Sequence, residues 1–264
     1  MSAIGGTVTS FAVSRDGVRV AYDLTGTGPM LVLLHGGGQS RRVWHELGYV
    51  GRLRDHFTVV TVDIRGNGES DSPIDVEAYS IDHLEDDVLS VADAVGETRF
   101  SVWGYSYGGN IARYLPAHSD RVTKLVMIGV PFGAAAPAEF RAYAVNLRTK
   151  WTPTIEAHRA GRLSLESLSE QDRIWWQKGN IPSTVAQLSA ILNWPPVQPS
   201  DLQCPTLWVM GTDNETAMRS LKEYQQSLSA TKVTAHLLPG LAHDEELKRI
   251  DDVLATMRDF TLSP

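Results

Sequence analysis

The stretch TRFSVWGYSYGG, residues 98–109, decides the fold of this chain. Residues 99–103 form a short apolar run typical of a β-strand, and the residues from Asn110 onward are typical of a helix. The intervening sequence GYSYG, residues 104–108, must turn sharply. A serine at the top of such a strand-turn-helix is held in a strained conformation with its hydroxyl exposed, and the flanking glycines let strand and helix approach closely. The pattern predicts a nucleophile elbow with Ser106 at its tip.

Length and composition restrict the classes of protein to which the chain can belong. Its 264 residues can form one large α/β domain with an insertion, or two small domains, and can bury a substantial core in either case. A hydrophobic content of 42% with 21% charged residues is ordinary for a globular protein. The net charge of −7, from 24 basic and 31 acidic residues, disfavours nucleic acid and anionic membranes as partners, since both require a basic surface.

Cysteine content and hydropathy predict a cytoplasmic protein. The single cysteine, Cys204, has no intramolecular partner for a disulfide, as expected in a reducing compartment. Residues 1–17 contain no apolar segment of the kind found in signal peptides, and no stretch approaches the length of a membrane span. The oligomeric state is left open by the sequence.

A glycine-rich loop is the second functional motif. A predicted hairpin, residues 7–13 and 18–24, precedes a continuous apolar strand, residues 30–34, which His35-Gly36-Gly37-Gly38 follows directly. Backbone N–H groups in such a loop can stabilise an oxygen that becomes negatively charged, although a tight turn without a ligand has the same pattern. A dinucleotide loop is excluded, because the GxGxxG pattern would require glycine in place of Arg41.

Strands and helices alternate along the rest of the chain. This rhythm predicts a parallel, doubly wound sheet with right-handed crossovers. Further strands are predicted at residues 57–63, 122–128, 205–210 and 233–238, and helices at 39–54, 79–95, 110–118, 215–228 and 245–260.

The alternation stops between residues 132 and 200. This segment contains four of the seven tryptophans, and its apolar residues recur at helical spacing. We interpret it as a helical cap over the sheet, which divides the chain into a core of residues 1–131, a cap of 132–200 and a second core part of 201–264. Most of the cap tryptophans are expected to pack the cap's own small core, and one or two to line a substrate cavity.

Four motifs, in this order, cover almost the whole chain: HGGG at 35–38, DIRGNGES at 63–70, GYSYG at 104–108 and PGLAH at 239–243. With them the sequence resembles the α/β-hydrolase superfamily, in particular its capped esterases and lactonases. The resemblance implies an α/β fold with a mostly parallel, eight-stranded sheet and a helical cap inserted after strand 6. It also implies the chain order of nucleophile, acid and histidine.

A serine nucleophile requires a base, and an imidazole suits that role. Of the eight histidines, only His236 and His243 follow the last two predicted core strands, as the family order requires. His236 falls inside a strand, whereas His243 lies on the loop beyond it, so His243 is the predicted base. His35 belongs to the glycine-rich loop and is expected to brace it.

The acid departs from the family pattern. The usual position, third after Gly211, holds Asn214, and the alternative position after the preceding strand falls in Gly129-Val130-Pro131, which has no carboxylate. Asp213, one residue early, is the preferred candidate, and Glu215, one residue late, is the alternative. A third reading is that the acid is lost and that Asn214 only orients the histidine.

With these roles the resemblance implies acyl transfer by Ser106, with an oxyanion held by the N–H groups of Tyr107 and of Gly37 or Gly38. No metal or organic cofactor is expected. Serine at the elbow argues against epoxide hydrolases and haloalkane dehalogenases of this fold, which use aspartate there. The expected substrate is a small, mostly apolar ester or lactone.

Three other functions stay open at the level of sequence. Relatives cleave carbon–carbon bonds with the same three residues, and a ligand receptor of this fold can turn over slowly or not at all. An aminopeptidase would need an acidic pair in the cap, for which Glu166 and Glu170 are the candidates.

Overall fold

The structure, a computed structural model, describes residues 9–264, apart from the side chain of Lys178. Its centre is one eight-stranded sheet, in the spatial order β1-β2-β4-β3-β5-β6-β7-β8. The strands are β1 (Ser10–Val13), β2 (Arg19–Thr25), β3 (Met30–Leu34), β4 (Thr58–Val62), β5 (Phe100–Tyr105), β6 (Val122–Ile128), β7 (Thr206–Gly211) and β8 (Val233–Leu238). The predicted first strand began at residue 7, and residues 7 and 8 lie outside the described part of the chain.

The sheet is mostly parallel, as predicted. Only β1 with β2 and β2 with β4 pair antiparallel, and all other neighbours are parallel. The central strands β3 and β5 are buried on both faces, which is why they read as continuous apolar runs. Because the carboxyl ends of parallel strands meet at one edge, the loops after β3, β5, β6, β7 and β8 gather there.

Helices cover both faces of the sheet, and each face has its own apolar cluster. Helices are numbered in chain order, and α6 to α8 are described below. The core helices are α1 (Arg42–Glu46), α2 (Tyr49–Leu53), α3 (Ile81–Val95), α4 (Tyr107–Ala112), α5 (Leu115–His118), α9 (Glu215–Tyr224) and α10 (Ile250–Leu262). Helices α3, α4 and α9 pack on one face, and α1, α2 and α10 on the other. This is the doubly wound arrangement that the sequence predicts.

Several predicted helix limits need correction. The helix predicted over residues 39–54 is two short helices, because Gly48 adopts φ 84° and breaks the run between α1 and α2. The last helix begins at Ile250 rather than 245, since residues 243–248 form turns. Those turns matter for the site described below.

Three helices lie between β6 and β7, where the sequence predicts helices: α6 (Ala138–Arg159), α7 (Glu170–Lys178) and α8 (Ile181–Ile191). We call them the inserted helices. They have a small apolar core of their own around Trp151 and Ile155. A partly buried polar contact joins them to the core, since the Asn67 side-chain amide donates to Gln187 Oε1 at 3.1 Å. The domain limits at 132 and 200 stay a prediction.

No helix in residues 9–264 is long and apolar enough to cross a membrane.

Candidate active site

The turn after β5 has the geometry that its sequence predicts. Ser106 has φ 52° and ψ −114°, and it is the one non-glycine residue with positive φ among residues 9–264. Such a conformation costs on the order of 1–3 kcal/mol and persists only when the surroundings impose it. Here they do: a Cβ at Gly104 would come within 2.5 Å of the Gly108 carbonyl oxygen, and one at Gly108 within 2.4 Å of the Leu34 carbonyl oxygen.

The strained turn places the serine hydroxyl against a histidine. Ser106 Oγ lies 3.0 Å from His243 Nε2. His243 sits on the loop after β8, and the Tyr105 hydroxyl fixes this loop by donating to the His243 carbonyl oxygen at 2.8 Å. The Tyr105 ring also stacks on the imidazole, with the ring centroids 5.3 Å apart. The structure thus brings together the two residues that the sequence predicts as nucleophile and base.

A carboxylate that the sequence analysis missed lies on the other side of the imidazole. His243 Nδ1 and Glu246 Oε2 are 3.0 Å apart, and the Glu246 side chain is fully buried. Two further donors hold its other oxygen: the Gly211 N–H at 2.7 Å and Asn214 Nδ2 at 2.9 Å. Because a carboxylate only accepts, Nδ1 of His243 must carry the proton, which leaves Nε2 free to accept from Ser106.

Asp213, the predicted acid, is not the carboxylate beside His243. It is exposed, and its side chain accepts a hydrogen bond from the neighbouring Thr212 hydroxyl at 3.3 Å. The reason is local: Asn214 is the N-cap of α9, with its Oδ1 accepting from the Ala217 N–H, so position 214 faces inward and position 213 faces solvent. Glu215, the alternative, is exposed in the first turn of α9.

Both positions that the family pattern would give to an acid instead accommodate Glu246, one by leaving space and the other by a hydrogen bond. Gly129, after β6, adopts φ 71°, and a Cβ there would lie 2.0 Å from Glu246 Oε2 and 2.7 Å from His243 Nδ1. Asn214, after β7, donates to the carboxylate instead of supplying one. The acidic run Asp244-Glu245-Glu246, directly after the histidine, was the sequence signal for a carboxylate at this place. It was missed because the sequence analysis predicted a helix from residue 245, whereas the chain forms a turn there that directs Glu246 inward.

The residues predicted to hold the oxyanion lie around the same cavity as Ser106. Tyr107 opens helix α4, and Gly37 lies against it, since a Cβ at Gly37 would be 3.7 Å from that of Tyr107. Gly38, the other predicted donor, also lines this cavity, and the choice between the two glycines stays a prediction. Both Gly37 and Tyr107 line the cavity that contains Ser106.

His35 braces the glycine-rich loop, as predicted. It is completely buried, its Nδ1 lies 2.7 Å from the Gly36 carbonyl oxygen, and its Nε2 accepts from the Ile64 N–H at 3.1 Å. These partners require the neutral ring with the proton on Nδ1. Burial lowers the pKa of His35, which favours the same neutral form.

A cavity of about 510 Å³ opens above Ser106 and His243. Its floor is the carboxyl edge of the sheet, and its roof is formed by the inserted helices α6 and α8. The lining is mainly apolar, with Val130, Phe140, Leu188 and Ile191, and it includes the amides of Asn67, Asn110 and Gln187. A cavity of this size and character suits a small molecule with an apolar body.

Comparisons with known proteins agree with this fold. A family model described as the α/β hydrolase fold matches residues 29–151. Epoxide hydrolase 4 of Mus musculus is 30% identical over 145 residues, which are 53% of this chain and 38% of that protein. The pimeloyl-[acyl-carrier protein] methyl ester esterase of Vibrio vulnificus (strain YJ016) is 33% identical over 133 residues, 50% of this chain and 48% of that protein. The chain thus spans less than half the length of these two curated relatives.

Among solved structures, an epoxide hydrolase from metagenomes of hot environments superposes with a TM-score of 0.75 at 20% identity, covering 98% of this chain and 100% of that one. At this identity the match establishes the fold and not the activity. The sheet order, the strained serine turn and these matches together show that the chain has the α/β-hydrolase fold.

Proposed function

We propose that this protein is a serine hydrolase that cleaves a carboxylic ester or lactone bond of a mostly apolar small molecule through an acyl-enzyme on Ser106. The observation that carries the proposal is the continuous chain of contacts from Ser106 Oγ through the His243 imidazole to the buried Glu246 carboxylate. A protein that only binds a ligand has no need of a serine held at φ 52° beside an oriented base.

In the proposed reaction Ser106 Oγ attacks the carbonyl carbon of the substrate while its proton passes to His243 Nε2. Glu246 stabilises the imidazolium that forms, and because Gly211 and Asn214 hold its other oxygen, it does so without moving. The Gly37 and Tyr107 N–H groups stabilise the oxyanion of the tetrahedral intermediate. His243 then protonates the leaving oxygen and activates the water that hydrolyses the acyl-enzyme. No step requires a metal or an organic cofactor.

The names of several relatives raise the alternative of epoxide hydrolysis. In this fold that reaction relies on an aspartate at the elbow, as the family resemblance implies, and this chain has Ser106 at that position. The ester hydrolase is therefore the better match to the residues present. The esterase from Vibrio vulnificus adds support for this class of reaction.

The roof of the cavity supports the substrate part of the proposal. We infer that residues 132–200 act as a cap, because α6 and α8 enclose the space above Ser106 and supply Phe140, Leu188 and Ile191 to its lining. Burying an apolar group of the substrate against these side chains contributes about 25 cal/mol per Å².

The test is a comparison of substrates. Wild type, Ser106→Ala and the control Ser227→Ala, an exposed serine outside the site, are assayed with 4-nitrophenyl acetate and butanoate, a simple lactone, a β-diketone and styrene oxide. We expect wild type and Ser227→Ala to hydrolyse the esters or the lactone, and Ser106→Ala to lose that turnover. Activity on styrene oxide or the β-diketone alone, no turnover in wild type, or full activity of Ser106→Ala would each contradict the proposal.

A further inference from the structure

The inserted helices carry a second cavity that adjoins the first. It has a volume of about 330 Å³ and is lined by Tyr143, Leu147, Trp175, Gly179, Ile181 and Thr184. Tyr143 and Thr184 also line the cavity above Ser106, so the two cavities are neighbours with these two residues in common. The second cavity lies farther from Ser106, between helices α6, α7 and α8.

The surface of this second cavity is unusual for a part of the chain exposed to water. Tyr143 and Trp175, which are 56% and 46% exposed, are the two large exposed apolar side chains of the inserted helices among the described residues. Both line the cavity. Trp175 is held in place by Lys150, whose Nζ lies 5.4 Å from its ring centroid. Exposed aromatic residues gathered at the mouth of a cavity mark a place where an apolar ligand binds.

The arrangement along α8 gives the shape of that ligand. Ile191, Leu188 and Thr184 line the cavity above the serine, and Thr184 and Ile181 line the second one. Ten residues of helix span roughly 15 Å, so the two linings follow one another along that length of α8. An extended linear group has the shape that follows both linings.

The chemistry of the lining gives the class of the ligand. The described side chains around the second cavity are aromatic or aliphatic, apart from the hydroxyl groups of Tyr143 and Thr184, and none of them carries a charge. A charged or strongly hydrated group would lose its water there without a partner. An unbranched hydrocarbon chain loses nothing of that kind and gains from burial.

We propose that the second cavity is a subsite for the far end of a linear apolar chain on the ester substrate, which makes this protein a hydrolase that prefers long-chain over short-chain esters. The inference rests on the proposed function, because the near end of the chain must reach the carbonyl group beside Ser106. The chain can belong to the acyl or to the alcohol part of the ester, and the two are separated by experiment.

The test measures kcat/KM in two series of substrates below their critical micelle concentrations: 4-nitrophenyl esters from acetate to dodecanoate, and acetates from ethyl to octyl. In one of the two series we expect kcat/KM to rise roughly fourfold for each methylene that enters the second cavity. Branched isomers of the same size are expected to gain much less. A flat or falling profile in both series would overturn the inference while leaving the ester hydrolase intact.

Two substitutions locate the effect. Thr184→Phe adds an aromatic ring at an exposed position on α8 that lines both cavities, and Trp175→Ala removes one wall of the second cavity. Both are expected to lower the ratio of long-chain to short-chain kcat/KM at least tenfold. Leu262→Ala, which also removes an exposed apolar side chain but at the far end of α10, is the control and should keep the wild-type ratio. An unchanged ratio in Thr184→Phe and Trp175→Ala would overturn the inference.

A binding experiment separates this inference from the proposed function. Ser106→Ala is titrated calorimetrically with methyl octanoate, octyl acetate and the matching butanoate and butyl esters. Tighter binding of one octyl compound, lost when Thr184→Phe is added, supports the subsite even if wild type hydrolyses no ester. Equal Kd values for long and short compounds would overturn it.

Discussion

Replacing Glu246 by glutamine changes one buried carboxylate to an amide of nearly the same shape. Two donors, the Gly211 N–H at 2.7 Å and Asn214 Nδ2 at 2.9 Å, hold Oε1. In Glu246→Gln these donors will select the amide oxygen, so the new NH₂ group must face His243 Nδ1. A donor at that place requires Nδ1 to be an acceptor and moves the imidazole proton to Nε2, which then no longer accepts the proton of Ser106.

The size of the effect follows from this tautomer change. Glutamine cannot stabilise the imidazolium, and it also holds the ring in the unproductive form. The matching change in a serine protease lowers kcat by roughly 10⁴, and we expect a loss of kcat on the order of 10³ to 10⁴ here. The loss should fall on kcat more than on KM, because Glu246 lies behind the imidazole and is fully buried.

The assay is steady-state hydrolysis of 4-nitrophenyl butanoate by wild type, Glu246→Gln, Asp213→Asn and Glu215→Gln. The last two change exposed carboxylates on either side of Asn214 and should keep kcat within about threefold of wild type, as surface substitutions usually do. Circular dichroism and the midpoint of urea unfolding show whether each variant is folded. Wild-type kcat in Glu246→Gln, or a loss of 10³ or more in Asp213→Asn, would refute the reasoning.

Three other predictions concern the surroundings of this carboxylate and of the glycine-rich loop. Asn214 Nδ2 lies 3.3 Å from His243 Nδ1, so an aspartate at position 214 would place a carboxylate beside the imidazole. Adding Asn214→Asp to Glu246→Gln should therefore raise kcat at least tenfold above that of Glu246→Gln. No gain in the double variant would show that a carboxylate at position 214 cannot replace that of Glu246. In Gly129→Ala the new Cβ would lie 2.0 Å from Glu246 Oε2, and alanine would be strained at φ 71°. We therefore expect a lower kcat and a free energy of unfolding that is lower by roughly 1–3 kcal/mol. Unchanged urea unfolding would contradict this prediction. Burial lowers the pKa of His35 in the folded state. As pH falls below 6.5, the His35 ring therefore takes up a proton in the unfolded state but not in the folded state. The free energy of unfolding then falls by up to about 1.4 kcal/mol per pH unit. His35→Gln should show a shallower loss of urea stability between pH 7 and 5, and an identical slope would contradict the assignment.

The sheet and the serine turn could be predicted because each depends on a short stretch of sequence. Strands such as β3 and β5 are buried on both faces and read as unbroken apolar runs, and GYSYG contains both the glycines and the serine that the turn requires. His243 could be predicted because its place, on the loop after the last strand, follows from the order of the elements.

Glu246 could not be predicted in the same way, because its role depends on contacts between distant segments. Its carboxylate is held by residues 211 and 214 and accommodated by Gly129, all far from it in sequence. The family pattern predicted the acid among the residues after Gly211. Asp213 faces solvent because the side chain of its neighbour Asn214 points inward as the N-cap of α9, and the sequence pattern does not show this. The second cavity could not be predicted from the sequence either, because helical periodicity does not show which of the cap tryptophans faces a cavity and which is buried.

The central claim is that Ser106 is a nucleophile activated by His243 and Glu246, and labelling with a fluorophosphonate tests it most directly. The second-order rate constant of labelling is measured for wild type and Glu246→Gln, and mass spectrometry of the digested protein locates the adduct. We expect a single adduct on Ser106 in wild type and a rate constant lower by a factor of about 10³ in Glu246→Gln. No adduct on Ser106, or equal rate constants in the two proteins, would contradict the claim.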